Sequence, residues 1–240
     1  MTNRRVVRYN DSDLLSPEEE STHAAAIRAA EVAELKTWQQ YKCFERRPSS
    51  ESRNVIDTRW VYKLKKVKDS SGVEHRVIRA RLTVRGFKDT GAADLAAFAG
   101  TTSRWGQRLV VAVAAQRGWT LHSMDVEKAF LQGQPYAELA EETGEELRHV
   151  NFRLPIHCIA SCRQRQGYGD YNPMMEALHL IKPATGLRDA PRAFSRKLKK
   201  CTAAFGCTPL WVDDQVECLH QGGCVVIIIA IQVDDINQVC

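Results

Sequence analysis

Several features that would place this chain in a membrane, secreted or zinc-binding class are missing from its sequence. The longest apolar run, Cys224 to Ile231, is too short to cross a bilayer, and the first residues lead into polar sequence rather than a secretory signal. None of the eight cysteines has Cys-x-x-Cys spacing, and no His pair completes a zinc pattern. Internal repeats and low-complexity tracts are also missing. We therefore predict an intracellular protein, cytoplasmic or nuclear, with reduced core thiols and no membrane contact.

Charge is distributed unevenly along the 240 residues, although the net charge is only +5. The segment 53–88 carries eleven Lys and Arg residues against three Asp and Glu, whereas 125–146 carries seven acids against one Lys. A basic lobe facing an acidic lobe suits a polyanion held against a metal site. From charge alone, it is an equally good interpretation that each segment simply forms a solvated face of the protein.

Hydrophobic periodicity predicts strands that alternate with helices, which indicates a mixed α/β or α+β protein. In the basic segment, Trp60, Tyr62 and Leu64 recur at every second position, which predicts a hairpin with one apolar and one basic face. The remaining predictions are a disordered segment at 1–15, a helix from Ser16 to about Tyr41, a linker at 46–53, helices at 103–117 and 191–205, a strand at 119–124 and a strand pair around 216–219 and 224–231.

Two adjacent acids, Asp234 and Asp235, directly follow the predicted apolar strand. Like charges in a poorly solvated place repel each other, and a divalent cation is the usual remedy. Asp125, at the end of another predicted strand, would complete a Mg²⁺ site of the kind that serves nucleotide polymerases. A second Val-Asp-Asp run at 212–214 has no buried strand before it, so we interpret its acids as part of a turn or strand start.

Five short blocks occur in one order along the chain. They are Trp60-Val61, Arg79-Ala80-Arg81-Leu82 leading to Gly86-Phe87, Asp125-Val126 with Ala129-Phe130-Leu131 and Gly133, Gly186-Leu187 with Ala190-Pro191-Arg192, and Val233-Asp234-Asp235. Together they resemble the reverse transcriptase domain of Ty1/copia-type retrotransposon polyproteins, over roughly residues 30 to 240. The sequence departs from the family pattern at Gln232 and Thr185, and it lacks the usual Gly soon after Asp235, but no carboxylate is lost.

The resemblance implies the fingers and palm of a right-hand polymerase, an α+β fold whose antiparallel palm sheet is backed by helices. The fingers would occupy most of 53–120 and the palm most of 121–240, with a variable insertion at 134–180. An N-terminal helix and linker would precede them at 16–52. We expect the thumb, the RNase H and the integrase of a Pol polyprotein to lie outside this chain.

The resemblance also assigns roles to individual residues. Asp125, Asp234 and Asp235 would be catalytic and would hold two Mg²⁺ ions, or Mn²⁺, with the Val126 carbonyl as a further ligand. Four basic residues of the hairpin are candidates to bind the incoming triphosphate, Phe130 would line the sugar pocket and favour deoxyribose, and Gly186 would lie beside the nascent base pair. The four candidates are Lys63, Lys65, Arg79 and Arg81.

The implied function is RNA-directed DNA synthesis, in which a deoxynucleoside triphosphate is joined to the 3′-hydroxyl of a primer on an RNA or DNA template. Two alternatives remain open at this level. The chain could be an inactive retroelement remnant that only binds nucleic acid, with an affinity that falls steeply as salt rises. It could also be a Mg²⁺-dependent phosphotransferase or nuclease, although such an enzyme would have no use for Phe130 and the basic hairpin.

Overall fold

The computed structural model describes residues 14–93 and 95–240, which form two five-stranded sheets with helices packed against them. In chain order the elements are α1 (Pro17–Thr22), α2 (Ala24–Gln40), β1 (Phe44–Pro48), β2 (Val55–Lys68), β3 (Glu74–Val84), α3 (Arg104–Arg117), β4 (Leu121–Asp125), α4 (Tyr136–Thr143), β5 (Asn151–Arg153), α5 (Ile159–Arg163), β6 (Glu176–Leu180), α6 (Ala190–Phe205), β7 (Thr208–Leu210), β8 (Asp213–Gln221), β9 (Cys224–Gln232) and β10 (Asp235–Val239).

The N-terminal region begins with the capping box that the sequence predicts. The Ser16 hydroxyl accepts from the Glu19 N–H, and the Glu19 carboxylate accepts from the Ser16 N–H. The prediction of one continuous helix is wrong, because the chain leaves helical geometry at His23 and starts again as α2. The predicted disordered segment lies outside the described residues except for its last two, where it is wrong: Leu15 is buried and donates its N–H to the Tyr62 carbonyl.

The first sheet has the order β1-β6-β5-β2-β3 and contains the predicted basic hairpin. β2 and β3 pair antiparallel over eleven residue pairs, from Thr58↔Val84 to Lys68↔Glu74. Tyr62 and Ala80 lie on the face that packs against Ile27 of α2. Since alternate residues of a strand point to opposite faces, the odd-numbered cations lie on the other face, as predicted.

Two segments that the sequence left outside the core are part of the first sheet. The linker prediction is wrong for residues 46–48, because β1 pairs along β6 and places Phe44 in the core. Within the predicted insertion at 134–180, β5 pairs parallel to β2 and antiparallel to β6. Phe152 of β5 contacts Trp38 of α2 and Phe44 at ring-centroid distances of 5.9 and 5.5 Å. The N-terminal helix, the hairpin and the insertion therefore share one apolar core.

The second sheet has the order β4-β10-β9-β8-β7, and every neighbouring pair in it is antiparallel. Val110 of α3 packs against Ala230 on one face, whereas Leu198 of α6 packs against Ile231 on the other. The predicted helices at 103–117 and 191–205 and the β8–β9 pair are thereby confirmed, and so is the α+β class. Among the described residues, none of the helices combines the length and the apolar character needed to span a membrane.

Candidate active site

The second sheet brings the separated acids together at one end of two neighbouring strands. Asp125 is the last residue of β4, and the pairing places it directly opposite Asp235, the first residue of β10. The Val126 N–H donates to the Asp234 carbonyl at 2.9 Å, and the Thr120 N–H donates to the Cys240 carbonyl at 3.1 Å. Hydrogen-bonded and non-hydrogen-bonded pairs alternate along an antiparallel ladder, so Asp125 and Asp235 form a non-hydrogen-bonded pair, in which side chains approach most closely.

The turn that carries Asp234 adopts a conformation that its sequence disfavours. Val233 and Asp234 connect β9 to β10 as a two-residue turn, and Val233 has φ of 59°. A β-branched residue is rare at positive φ, and such strain is concentrated at functional sites. The preceding hairpin, β8–β9, makes its two-residue turn with Gly222 and Gly223, which reach positive φ without steric cost. The chain therefore keeps a valine where a glycine would be the unstrained choice.

Gln232 extends the row of opposed residues across a third strand. It pairs with Asp235 in the β9–β10 ladder, so Asp125, Asp235 and Gln232 lie side by side on one face. Its side-chain oxygen accepts a 3.0 Å hydrogen bond from Gln107 of α3. The Thr102 N–H also donates to the Ile231 carbonyl at 2.9 Å. The segment that begins α3 thus holds the end of β9 just before the strained turn.

The three aspartates have the chemistry of a cation site. Asp125 and Asp235 are exposed and Asp234 is half-buried, and within 14–93 and 95–240 no basic side chain forms an ion pair with any of them. Carboxylate oxygens are the ligands that Mg²⁺ prefers. Their oxygens do not all lie within 4.8 Å of one another, since the one group of that kind among the described residues lies elsewhere. Exposed Asp side chains can rotate, so the donor set fits a divalent cation without a preformed cage.

The second Val-Asp-Asp run has a structural role, and the interpretation of its acids as a strand start is confirmed. The Asp213 carboxylate accepts from the Ser103 N–H at 2.9 Å, the Thr102 hydroxyl at 3.2 Å and the Gln215 N–H at 3.0 Å. Partial burial opposes its ionisation, but these hydrogen bonds hold the pKa of Asp213 below its ordinary value. Asp214 is engaged by the Lys199 ammonium at 2.6 Å.

The four predicted triphosphate ligands lie on the first sheet and share one face of the hairpin. Arg79 lies directly opposite Lys63, while Arg81 and Lys65 occupy neighbouring positions of the same parity and lie opposite Val61 and Val77. All four cations are exposed. Like charges that face each other across a ladder destabilise it. A concentration of positive charge of this kind is typical of a surface that binds an anion.

The other two predicted site residues lie in connecting segments. Phe130 is half-buried in a short 3₁₀ turn, Ala129–Gln132, that follows Lys128 at a positive φ of 55°. Gly186 has φ of 98°, and a Cβ atom there would lie 2.1 Å from the Val84 carbonyl oxygen. The Val84 N–H donates to the Thr185 carbonyl at 2.9 Å. The close approach that requires glycine at 186 is therefore to the backbone of β3.

A charged cluster beside Gly186 was not anticipated from the sequence. The Arg148 guanidinium pairs with Asp89 and with Asp189, both of which are buried. Burial raises the pKa of Asp189, even though Arg148 opposes this shift. Asp89 and Gly186 also line an open cavity with Phe87 and Arg188. No local sequence pattern could reveal this cluster, because Arg148 is 41 residues from Asp189 and 59 residues from Asp89.

Comparisons with known proteins agree with the geometry. A family model described as "Reverse transcriptase (RNA-dependent DNA polymerase)" matches residues 41–143, which include the basic hairpin and Asp125. Two Arabidopsis thaliana proteins, the retrovirus-related Pol polyproteins from transposons RE2 and RE1, are 26% identical over 190 and 183 residues. These alignments cover 79% and 76% of this chain but only 11% of each relative, so the chain spans a small part of their length. Residues 41–143 therefore match a reverse transcriptase family model, and about three quarters of the chain is similar to retrotransposon Pol polyproteins, which supports the copia-type resemblance that the five sequence blocks indicate.

Proposed function

We propose that this chain acts as an RNA-directed DNA polymerase and that its active site is the row formed by Asp125, Asp234 and Asp235. The observation that carries the proposal is the direct opposition of Asp125 and Asp235 at the end of two antiparallel strands, beside a strained turn. Two carboxylates in that arrangement repel each other unless a cation lies between them. The family match supports a nucleotide polymerase over other uses of such a cation.

In this proposal the second sheet is the palm and the basic hairpin is the main part of the fingers. The fingers would take up most of residues 53–120 and the palm most of 121–240, with 134–180 as an insertion and 16–52 as an N-terminal extension. Helices α3 and α6 on the two faces of the second sheet support the comparison with a palm backed by helices.

The chain's own residues would hold and orient the reacting groups. When bound, two divalent ions, Mg²⁺ or Mn²⁺, would lower the pKa of the primer hydroxyl and neutralise charge on the triphosphate. Asp125, Asp234 and Asp235 would supply the carboxylate oxygens, with the Val126 carbonyl as a further ligand. The hydrogen bond from the Val126 N–H to the Asp234 carbonyl fixes the two acidic segments relative to each other, which is the positioning that phosphoryl transfer demands.

The substrates would meet two further surfaces. Lys63, Lys65, Arg79 and Arg81 would bind the triphosphate, and an Arg side chain can donate to two phosphate oxygens at once. Phe130 would lie against the sugar and disfavour a ribose 2′-hydroxyl, and Gly186 would lie next to the nascent base pair. The macromolecular partners would be an RNA or DNA primer–template and other domains of a Pol polyprotein.

Two observations favour a second candidate function, nucleic-acid binding without synthesis. The three aspartates do not form a preorganised ligand cage, and Gln232 occupies a position where the family has another residue type. The exposed basic face of the hairpin would remain able to bind phosphates through counterion release.

Primer extension on an RNA template separates the two functions. Wild-type chain, Asp234→Asn and Asp214→Asn are compared with Mg²⁺ or Mn²⁺, and binding of the same labelled primer–template is measured in parallel. We expect Asp234→Asn to lose extension by about 10²-fold or more, because one metal ligand and one charge are gone. Asp214→Asn, the matched change in the second Val-Asp-Asp run, should extend normally. Equal extension by wild type and Asp234→Asn refutes the metal site, and binding without any extension by wild type favours the second function.

A further inference from the structure

A second cluster of metal-ligating side chains lies away from the three aspartates, around the buried acid Glu31 of α2. Glu31 is 1% exposed. Its Oε1 accepts from the Tyr62 hydroxyl at 2.6 Å and from the Cys158 thiol at 3.2 Å, and its Oε2 accepts from the Ser161 hydroxyl at 2.9 Å. All three donors are neutral. Burying a carboxylate without an opposite charge is costly, and none of these three donors supplies a positive charge.

In the described part of the chain, the one basic side chain within 4 Å of the Glu31 carboxylate is an imidazole. The Nε2 atom of His157 lies 3.9 Å from Glu31 Oε1, and its side chain is 67% exposed. One ligand atom each from Glu31, His157 and Cys158 lie within 4.8 Å of one another, and no other group of three or more Asp, Glu, His or Cys residues in the described part of the chain does so. Two separate parts of the fold meet here, because Glu31 belongs to α2 whereas His157 and Cys158 lie just before α5.

Two of the three separations among these atoms are close to those around a tetrahedral zinc ion. Zinc lies about 2.0–2.3 Å from oxygen, nitrogen and sulfur ligands, which places neighbouring ligand atoms about 3.3–3.6 Å apart. The observed separations of 3.2 Å for Sγ to Oε1 and 3.9 Å for Nε2 to Oε1 lie on either side of this range. The third separation, Sγ to Nε2, is below 4.8 Å, and the exposed His157 imidazole can turn toward the other two ligand atoms.

We propose that Glu31, His157 and Cys158 bind one zinc ion, with water in the fourth position on the exposed side of His157. A thiolate, an imidazole and a carboxylate together suit a borderline-soft ion such as Zn²⁺ better than Mg²⁺, which prefers oxygen alone. This site is independent of the proposed polymerase centre, since it shares no residue with it.

Binding replaces one hydrogen bond and leaves the others in place. The Cys158 thiol loses its proton to the solvent, and the S–H···O bond to Glu31 gives way to bonds from both atoms to the metal. Tyr62 and Ser161 continue to donate to the carboxylate and fix its orientation, as outer partners of metal-bound carboxylates do. The ion would then join α2 to the segment before α5, two segments 127 residues apart in the chain.

Cobalt and zinc titrations of the full chain test the site. Cys201, Cys224 and Cys240, the exposed cysteines, are replaced by Ser throughout so that they cannot bind metal. We expect one equivalent of Co²⁺ to give a thiolate-to-cobalt absorption band, and Zn²⁺ to displace it. His157→Ala should weaken binding about 10-fold or more, and Cys158→Ser should remove the band.

Cys162→Ser is the matched control, because Cys162 is a buried thiol of α5 outside the trio. It should retain both the band and the affinity. His157 is exposed, so His157→Ala keeps the test decisive even if Cys158→Ser fails to fold. Absence of a thiolate band, its persistence in Cys158→Ser, or unchanged affinity in His157→Ala would each overturn the proposal.

Discussion

Asp125 and Asp235 face each other across β4 and β10 as a non-hydrogen-bonded pair, and no basic side chain in the described part of the chain forms an ion pair with either. Like charges directly opposite each other destabilise a sheet by a few tenths to about 1 kcal/mol. The fold therefore carries a local cost in the absence of metal, which a divalent cation would remove. If these aspartates bind a metal as proposed, stability and metal binding are linked at this pair.

Removing one of the opposed charges should affect stability in opposite ways with and without metal. In EDTA, we expect Asp125→Asn to raise the free energy of unfolding by about 0.5 kcal/mol, because the repulsion is lost. With Mg²⁺ at ten times its dissociation constant, wild type should gain about 1.4 kcal/mol and Asp125→Asn much less. Urea unfolding under both conditions measures this, with Asp214→Asn as a control whose gain from Mg²⁺ should equal that of wild type. An equal gain from Mg²⁺ in wild type and Asp125→Asn would contradict the assignment.

The two faces of the hairpin offer a matched test of nucleic-acid binding. Lys63 and Arg79 are an opposed pair on the proposed binding face, and Lys66 and Arg76 are an opposed pair on the other face. We expect the double change Lys63→Ala/Arg79→Ala to lower primer–template affinity and to reduce the slope of log affinity against log salt by about 1–2. Lys66→Ala/Arg76→Ala removes the same charge and should have a clearly smaller effect.

Fluorescence anisotropy of a labelled primer–template, measured over a series of salt concentrations, gives both quantities. If the two double variants lose the same affinity and the same slope, binding depends on net charge alone. The face that carries Lys63 and Arg79 would then have no special role.

The sequence predicted the elements whose signals are local. The period-two pattern around Trp60 gave the hairpin, and helical spacing ending at Gly118 gave α3, whose C-cap glycine is left-handed as such ends require. The sequence could not predict β1, which contains Arg46, Arg47 and Pro48, because this strand depends on β6. Arg46 makes two hydrogen bonds to Glu176, 130 residues away. Three-residue β5 is likewise too short for any periodic signal.

For the candidate site as well, the sequence predicted some features, whereas others depend on how distant segments pack. The acids could be found because Asp234 and Asp235 follow the apolar run Cys224 to Ile231 and Asp125 ends a predicted strand, patterns that are visible in the sequence. The direct pairing of Asp125 with Asp235, the contact between Gln232 and Gln107 and the approach of Gly186 to Val84 depend on register and loop packing. A shift of one residue in the β4–β10 ladder would turn Asp125 to the opposite face.

The strained turn predicts an unusual response to a glycine substitution. Val→Gly normally destabilises a strand through lost packing and greater chain entropy. At Val233, relief of the positive φ, about 1–3 kcal/mol, should offset that loss. We therefore expect Val233→Gly to be about 2 kcal/mol more stable than Val226→Gly, the same change at a half-buried valine with ordinary φ in β9. Urea unfolding compares them, and equal destabilisation would mean that Val233 is not strained.

His179 of β6 predicts how stability depends on pH. It is 7% exposed, and its Nδ1 lies 3.1 Å from the Asn151 side-chain oxygen. Burial is the main cause that lowers the pKa of His179 from 6.5 to about 4; Arg47 and His149 lower it further, and Glu45 opposes them. Between these two values the unfolded chain binds more protons than the folded one, so stability is complete above pH 6.5 and falls as the pH drops towards 4.

The loss from this one group should reach up to about 3 kcal/mol across that window. His179→Gln cannot be protonated there, so its stability should decline less between about pH 7 and pH 4.5, even if the variant starts lower. Carboxylates titrate in both proteins, and taking the difference from wild type removes their contribution. His220→Gln, at an exposed position of β8, should keep the wild-type slope. Parallel curves for wild type and His179→Gln would show that acid destabilisation arises elsewhere, because only a histidine held neutral by burial produces the difference.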